Sequence, residues 1–134
     1  MLSEFLLAST ELTQWQWHAL GGPEPSDRAQ LPATGMDWET ATQKLARWGM
    51  SLPTEAQWEY ACRAGTTTPW WKGSEALDAL GVGNFSAELL PVARLEPNAF
   101  GFHDVHGNAA EWCADGYLPY AQSKARNEIG RAHV

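Results

Sequence analysis

Basic side chains are scarce in this sequence: nine Lys and Arg stand against sixteen Asp and Glu, for a formal net charge of -7 and a pI near 4.9. Attraction to phosphate backbones or anionic lipid is therefore missing, and nucleic acid and membrane surfaces are poor partners. Cysteine is nearly absent too. Only Cys62 and Cys113 are present; they could pair, stay free or wait for partners outside this chain, so the redox compartment is left open. Long apolar runs are also missing. None approaches the roughly 20 residues a helix needs to cross a bilayer, and residues 1–12 have neither a basic leader nor a cleavage-type site behind a long apolar stretch. The visible chain is expected to be soluble, with no membrane insertion. Its 134 residues, 44% hydrophobic and 19% charged, amount to one modest domain or part of one, which excludes a multidomain enzyme. What is abundant is rings and turn formers: eight tryptophans, twelve glycines and eight prolines. That composition suggests a loop-rich domain that packs large aromatics between short elements.

Along the chain, the apolar run at Phe5-Leu6-Leu7-Ala8 marks residues 4–12 as a short strand. Thr13 followed by Gln16 has the spacing of a capping box, so a short helix should run to about Leu20 and end at Gly21-Gly22. Residues 23–32, rich in Pro with Ser26 and Asp27 and without periodicity, read as a surface loop. Asp37 is a plausible N-cap for a second helix, in which Trp38, Ala41, Leu45 and Trp48 place one stripe toward the core, with Gly49 as the stop. Thr54 and Gln57 repeat the capping-box spacing ahead of a third helix that ends at Gly65 and has Trp58, Ala61 and Cys62 on one face. Residues 66–98 carry turn formers and the pair Trp70-Trp71 without any sustained period, which reads as irregular, aromatic-pinned backbone.

Two separated stretches carry a resemblance: LPTEAQWEYACRAG at 52–65 and PNAFGFHDVHGNAAEWC at 97–113. They resemble the two signature stretches of the formylglycine-generating-enzyme (sulfatase-modifying factor) family. Thr68-Pro69-Trp70-Trp71, Gly83-Asn84-Phe85, Pro91-Val92 and the earlier Glu11-Leu12-Thr13-Gln14 with Trp17 fall in the same order. The resemblance implies an α+β, C-type-lectin-like fold, loop-rich with short helices and a small antiparallel sheet, and incomplete at both ends. The family usually has further strands before this segment and a long C-terminal segment that completes the central sheet. Residues 129–134, Ile-Gly-Arg-Ala-His-Val, translate the start of a common sequencing adapter, ATC GGA AGA GCA CAC GTC. Residues 1–127 are therefore expected to be the partial domain and 128–134 a non-native tail. With strands missing, open sheet edges and uncovered apolar faces should leave the isolated chain poorly stable.

By the same resemblance, Asp104, Gly107, Ala109 and Glu111 correspond to a structural calcium site. Two carboxylates supply hard oxygens, Gly and Ala offer only main-chain carbonyls, and water would complete the six to eight ligands that Ca2+ takes. His103 and His106 can be drawn with Glu111 as a two-histidine, one-carboxylate iron set, but a His-x-x-His pair without helical context reads as surface. His18 needs no role beyond packing or solvent contact. Trp58, Tyr60 and Trp112 should fill the core with their N–H and O–H groups on backbone, while Gly101 and Gly107 permit turns that a Cβ would obstruct.

Enzymes of the family oxidise a substrate cysteine to formylglycine with copper held by two thiolates, soft ligands suited to Cu(I), that lie downstream of the Glu-Trp motif. Cys62 and Cys113 stand at signature positions instead and read as small buried apolar residues or halves of lost disulfides, Cys62 resembling a structural disulfide position. Ala109-Ala110 replaces the Val-Trp that relatives commonly carry before Glu-Trp. The resemblance thus implies a piece of a protein whose parent acts on a cysteine-containing peptide or protein by oxygen-dependent sulfur chemistry, with copper expected only in that parent. No catalytic residue is assigned within this chain, which is expected to be inactive. The other reading is a non-enzymatic, lectin-like ligand-binding module.

Overall fold

The computed structural model describes residues 3–115. Within them, α1 (Gln14–Ala19), α2 (Trp38–Ala46), α3 (Glu55–Arg63) and α4 (Ala76–Val82) are linked by long irregular segments, and β1 (Gly83–Asn84) pairs with β2 (His106–Gly107). This is the loop-rich α+β architecture expected.

Local chemistry explains the helix starts. Thr13 Oγ1 accepts the Gln16 N–H at 3.2 Å while Gln16 Oε1 accepts the Thr13 N–H at 2.8 Å. Thr54 and Gln57 repeat this reciprocal pair at 3.2 and 2.9 Å. Asp37 caps α2 through Oδ1, which accepts the Thr40 N–H at 2.7 Å. Each cap satisfies amides that a first helical turn leaves without partners. α3 closes on Ala64, itself left-handed at φ 47°, just before the expected Gly65.

Long-range ties then converge on residues 98–113. Buried Asn98 donates from Nδ2 to the Ala61 and Cys62 carbonyls at 2.7 and 3.2 Å, capping the end of α3, and its Oδ1 accepts the Phe100 and Phe102 N–H groups. Trp38 Nε1 donates to the Cys113 carbonyl at 2.7 Å, and Trp112 Nε1 returns a bond to the Met36 carbonyl at 3.1 Å. Around these ties the core is built from buried Trp17 and from small residues, Ala41, Ala61, Cys62, Val82, Val105, Ala109 and Cys113 among them.

Several expectations are corrected. Residues 4–12 form no strand and bend at Ser9-Thr10, and their backbone reaches two different segments: Ser9 O accepts from His103 N–H and Leu12 O from Ala33 N–H. The sheet of β1 and β2 is parallel, Gly83 facing His106 and Asn84 facing Gly107, since the two segments run the same way past each other; antiparallel contacts are confined to the isolated bridges Thr13 with Pro32 and Trp70 with Gly73. α4 arises inside a stretch read as irregular. It buries only Ala79 and Val82 and leaves Leu77 and Leu80 79% and 69% exposed, so no apolar period announces it. Tyr60 lies on the surface, edge-on to Phe5 and against Phe100. Trp48 is exposed as well, falling in the turn after α2 has ended. No helix among the described residues is long and apolar enough to cross a membrane. The proposed tail at 128–134 lies outside the described residues.

Asn98 joins α3 to the second signature stretch, so Asn98→Ala leaves two helix-end carbonyls and two turn amides without their side-chain partner. The expected cost is about 2 kcal/mol, read as a lower midpoint in urea-induced loss of helical circular dichroism; an unchanged midpoint would remove Asn98 from this role.

Candidate functional site

The second signature stretch folds as a tight series of left-handed turns, with φ of 56° at Asp104, 87° at Gly107 and 64° at Asn108. Asn and Asp tolerate this region better than most side chains, and Gly pays nothing for it. Gly107 has a second reason to be glycine, because a Cβ there would fall against the Asn84 carbonyl across the β1–β2 pair. At Gly101 nothing lies within 4 Å, so its φ of 85° alone favours glycine.

Glu11 reaches this turn from the far end of the sequence. Its Oε1 accepts the Ala109 N–H at 3.1 Å and its Oε2 the Asn108 Nδ2–H at 3.2 Å. Asn108 carries the bond onward, donating to the Leu90 carbonyl at 3.2 Å and accepting from Leu90 N–H and Asn84 Nδ2 at 2.9 and 3.0 Å. Glu11 is only 6% exposed. Burial pushes its carboxyl from the ordinary 4.5 up to about 7, with the Ala109 amide opposing and the charges of Asp104 and Glu111 adding. Glu111, partly buried, accepts the Trp58 indole N–H. Its pKa is also raised by burial, opposed by the indole and reinforced by Asp104. Trp58 therefore anchors on a side-chain carboxylate, where sequence reasoning placed its N–H on backbone.

Glu11 and Glu111 both line a groove of about 520 Å³. Its walls are residues 6–12, the α2 face at Ala41 and Leu45, Leu52 and Pro53, and Trp112. A second hollow of about 300 Å³ lies on the other side of α3, lined by Trp58, Cys62, Thr68, Trp71 and His106 among others.

The four residues expected to hold calcium are brought onto this turn, but two are already engaged: Asp104 Oδ2 accepts the Ala93 N–H at 2.6 Å and Glu111 holds Trp58. Among the described residues no three His, Cys, Asp or Glu side chains converge as a metal cluster. The iron set drawn from His103, His106 and Glu111 is not assembled among the described residues. His103 Nδ1 bonds the Leu95 carbonyl at 2.9 Å. His106 Nε2 accepts the Trp71 N–H at 3.2 Å, which leaves the ring proton on Nδ1, 3.9 Å from Cys62 Sγ; burial lowers the His106 pKa and keeps the ring neutral. His18 sits on α1 within 3.7 Å of Glu24 and beside the Trp15 ring. Glu11, the residue that organises the turn, was not singled out from the sequence beyond its place in the resemblance. The one available signal was an acid just ahead of a Thr helix cap, next to an apolar run.

A sequence profile of the sulfatase-modifying factor enzyme 1-like domain matches residues 3–132. The chain belongs to this family. It is 33% identical over 118 residues to a formylglycine-generating enzyme of Thermomonospora curvata, covering 74% of this chain and 39% of that protein. It is 36% identical over 89 residues to the serine/threonine-protein kinase pkn1 of Chlamydia caviae, covering 66% of this chain and 14% of the kinase. The chain thus spans well under half the length of these curated relatives. The solved structure of PvdO from Pseudomonas aeruginosa superposes with a TM-score of 0.68 at 23% identity, covering 92% of this chain and 60% of that one.

Within this sulfatase-modifying factor domain the two thiols are free and buried. Desolvation raises Cys62 to about 11 and Cys113 to about 12. Cys62 Sγ is spent on the Val105 carbonyl at 3.5 Å. Both act as small core residues, the reading favoured from sequence.

The raised carboxyl of Glu11 sets a pH dependence. Because the folded pKa lies above the unfolded one, the stability linked to Glu11 is fully present below about 4.5 and is lost as pH rises through about 7. At 1.36 kcal/mol per unit this amounts to about 3 kcal/mol. The urea midpoint of tryptophan fluorescence should fall across that window and flatten in Glu11→Gln, which keeps an acceptor for Ala109. An equal slope in both proteins would exclude Glu11 as the source.

Proposed function

We propose that this chain is the scaffold portion of a formylglycine-generating-type oxidase, whose parent converts a peptidyl cysteine to formylglycine or performs related oxygen-dependent sulfur chemistry. By this reading residues 1–127 do not turn over alone. Family membership supports the class, and the state of the thiols supports the division of labour. Copper(I) in such chemistry is taken by thiolates, whereas Cys62 and Cys113 are buried and held protonated. The two thiols do not fit a copper pair, so no step is drawn through the metal here. What these residues contribute is shape: Glu11 and Glu111, through the Asn108–Ala109 turn and Trp58, hold the second signature stretch against α3.

Calcium at Asp104, Gly107, Ala109 and Glu111 belongs to the proposal as a structural ion that must compete with the Ala93 amide and the Trp58 indole. Its check is a rise in melting temperature in millimolar calcium that Asp104→Ala abolishes; no rise removes the ion. A ligand-binding module is the second reading, favoured by the groove of about 520 Å³ with its Trp58 and Trp112 lining, a size within the range of small-molecule sites.

For the first reading, the purified chain supplied with Cu(I), air and a cysteine-containing peptide should yield no more trapped aldehyde than a copper-free control. A longer product of the same gene that carries a close cysteine pair should yield it. Aldehyde from this chain alone overturns the division of labour, and none from the longer protein overturns the oxidase reading.

A further inference from the structure

The hollow of about 300 Å³ on the other side of α3 is near the lower end of the size range of small-molecule sites. Its aromatic walls are fixed by bonds of their own. On one side the Trp58 indole N–H is held by Glu111. On the other, the Trp71 backbone N–H donates to His106 Nε2 at 3.2 Å, and the turn that carries it is closed by reciprocal Trp70–Gly73 backbone bonds at 3.1 Å. The Trp70 ring stands edge-on to His106 and Phe85, with centroids 5.3 and 5.5 Å away. The polar groups that line this hollow share one hydrogen-bonding direction. Thr66 Oγ1 donates to the Arg63 carbonyl at 2.9 Å and Thr68 Oγ1 to the Trp70 carbonyl at 2.6 Å, so both hydroxyls have spent their single hydrogen and keep acceptor lone pairs. Glu59 holds Arg63 Nε at 2.8 Å, but a carboxylate has roughly four lone-pair sites, so acceptor capacity remains there. Arg63 balances the charge of Glu59, and recognition here turns on hydrogen-bond direction and ring surface.

We infer that this hollow binds a small primary ammonium ion with a short apolar tail, whose N–H groups donate to the Thr66 and Thr68 hydroxyls and to Glu59 while its body lies against the Trp58 and Trp71 indoles. A primary ammonium has three donors and no acceptor, which matches lining groups that have acceptor sites to offer. Indole is also the ring that attracts a cation best. A neutral alcohol of the same length lacks the charge, and a quaternary ammonium keeps the charge but has no N–H to give. Both should therefore lose affinity, because a desolvated polar group without its partner is costly. The hollow is separate from the groove, and its ligand is independent of whether the parent oxidises cysteine.

The test uses the full 134-residue chain labelled with 5-fluorotryptophan and titrated with n-butylammonium chloride at fixed ionic strength, which screens non-specific attraction to the acidic chain. The fluorine resonance missing from Trp71→Phe belongs to Trp71, and in the unsubstituted chain it should shift saturably in the millimolar range. n-Butanol and tetramethylammonium should each bind at least about fivefold more weakly. Thr66→Val and Thr68→Val, each checked for unchanged circular dichroism, should weaken n-butylammonium at least about threefold and leave n-butanol where it was. A Trp71 resonance that does not saturate, binding of n-butanol or tetramethylammonium as tight as that of n-butylammonium, or an n-butylammonium affinity unchanged in a folded valine variant would each overturn the inference. The comparison of the three probes needs only the unsubstituted chain, so it decides the matter even where a variant fails to fold. No readout involves copper or turnover, so failure of the oxidase reading leaves this result standing, and the reverse holds as well.

Discussion

The contact on which the rest of this structure depends is the buried carboxylate of Glu11 on the Asn108–Ala109 turn. It ties the N-terminal segment to the second signature stretch, and through Asn108 it reaches Leu90 and Asn84 as well. One acid thus gathers three segments that have no long sheet to align them. The cost is desolvation, visible in its pKa of about 7. The Ala109 and Asn108 donors offset that cost only in part, because Asp104 and Glu111 add charge of the same sign.

A fold held in this way depends on hydrogen bonds between side chains and backbone more than on strand ladders. Asn98 closes the end of α3, Trp38 and Trp112 cross-tie α2 and its N-terminal approach to the end of the signature stretch, and Gly107 lets β2 lie against β1. Buried polar groups in such a frame must all be partnered to be worth their burial. The indole of Trp58 and the carboxylate of Glu111 satisfy each other where both line the groove. Fold and site are therefore the same set of residues, and the domain's signatures identify its architecture more firmly than its reaction.

What was legible in advance was local. The capping boxes at Thr13 and Thr54 and the Asp37 cap depend on groups three residues apart, so their spacing in the sequence is their geometry. The family, too, was legible, because LPTEAQWEYACRAG and PNAFGFHDVHGNAAEWC each encode turns that only a few residue types tolerate. α4 escaped notice since it turns leucines outward and buries only Ala79 and Val82. Tyr60 and Trp48 were read inward because large rings carry much apolar area, yet Tyr60 packs only one side on Phe5 and Phe100 and Trp48 falls beyond the end of α2, leaving both more than half exposed.

Sequence alone therefore determined the starts of α1, α2 and α3, the glycine turns at Gly101 and Gly107 and the family, all of them properties of short range or of motif order. Tertiary structure decided the parallel sense of the β1–β2 pair, the partners of buried Asn98 and Asp104, and the role of Glu11. Those outcomes join residues as much as 98 positions apart. No local spacing encodes such a meeting, because the energies that select it, desolvation against hydrogen bonding, exist only once the segments have come together.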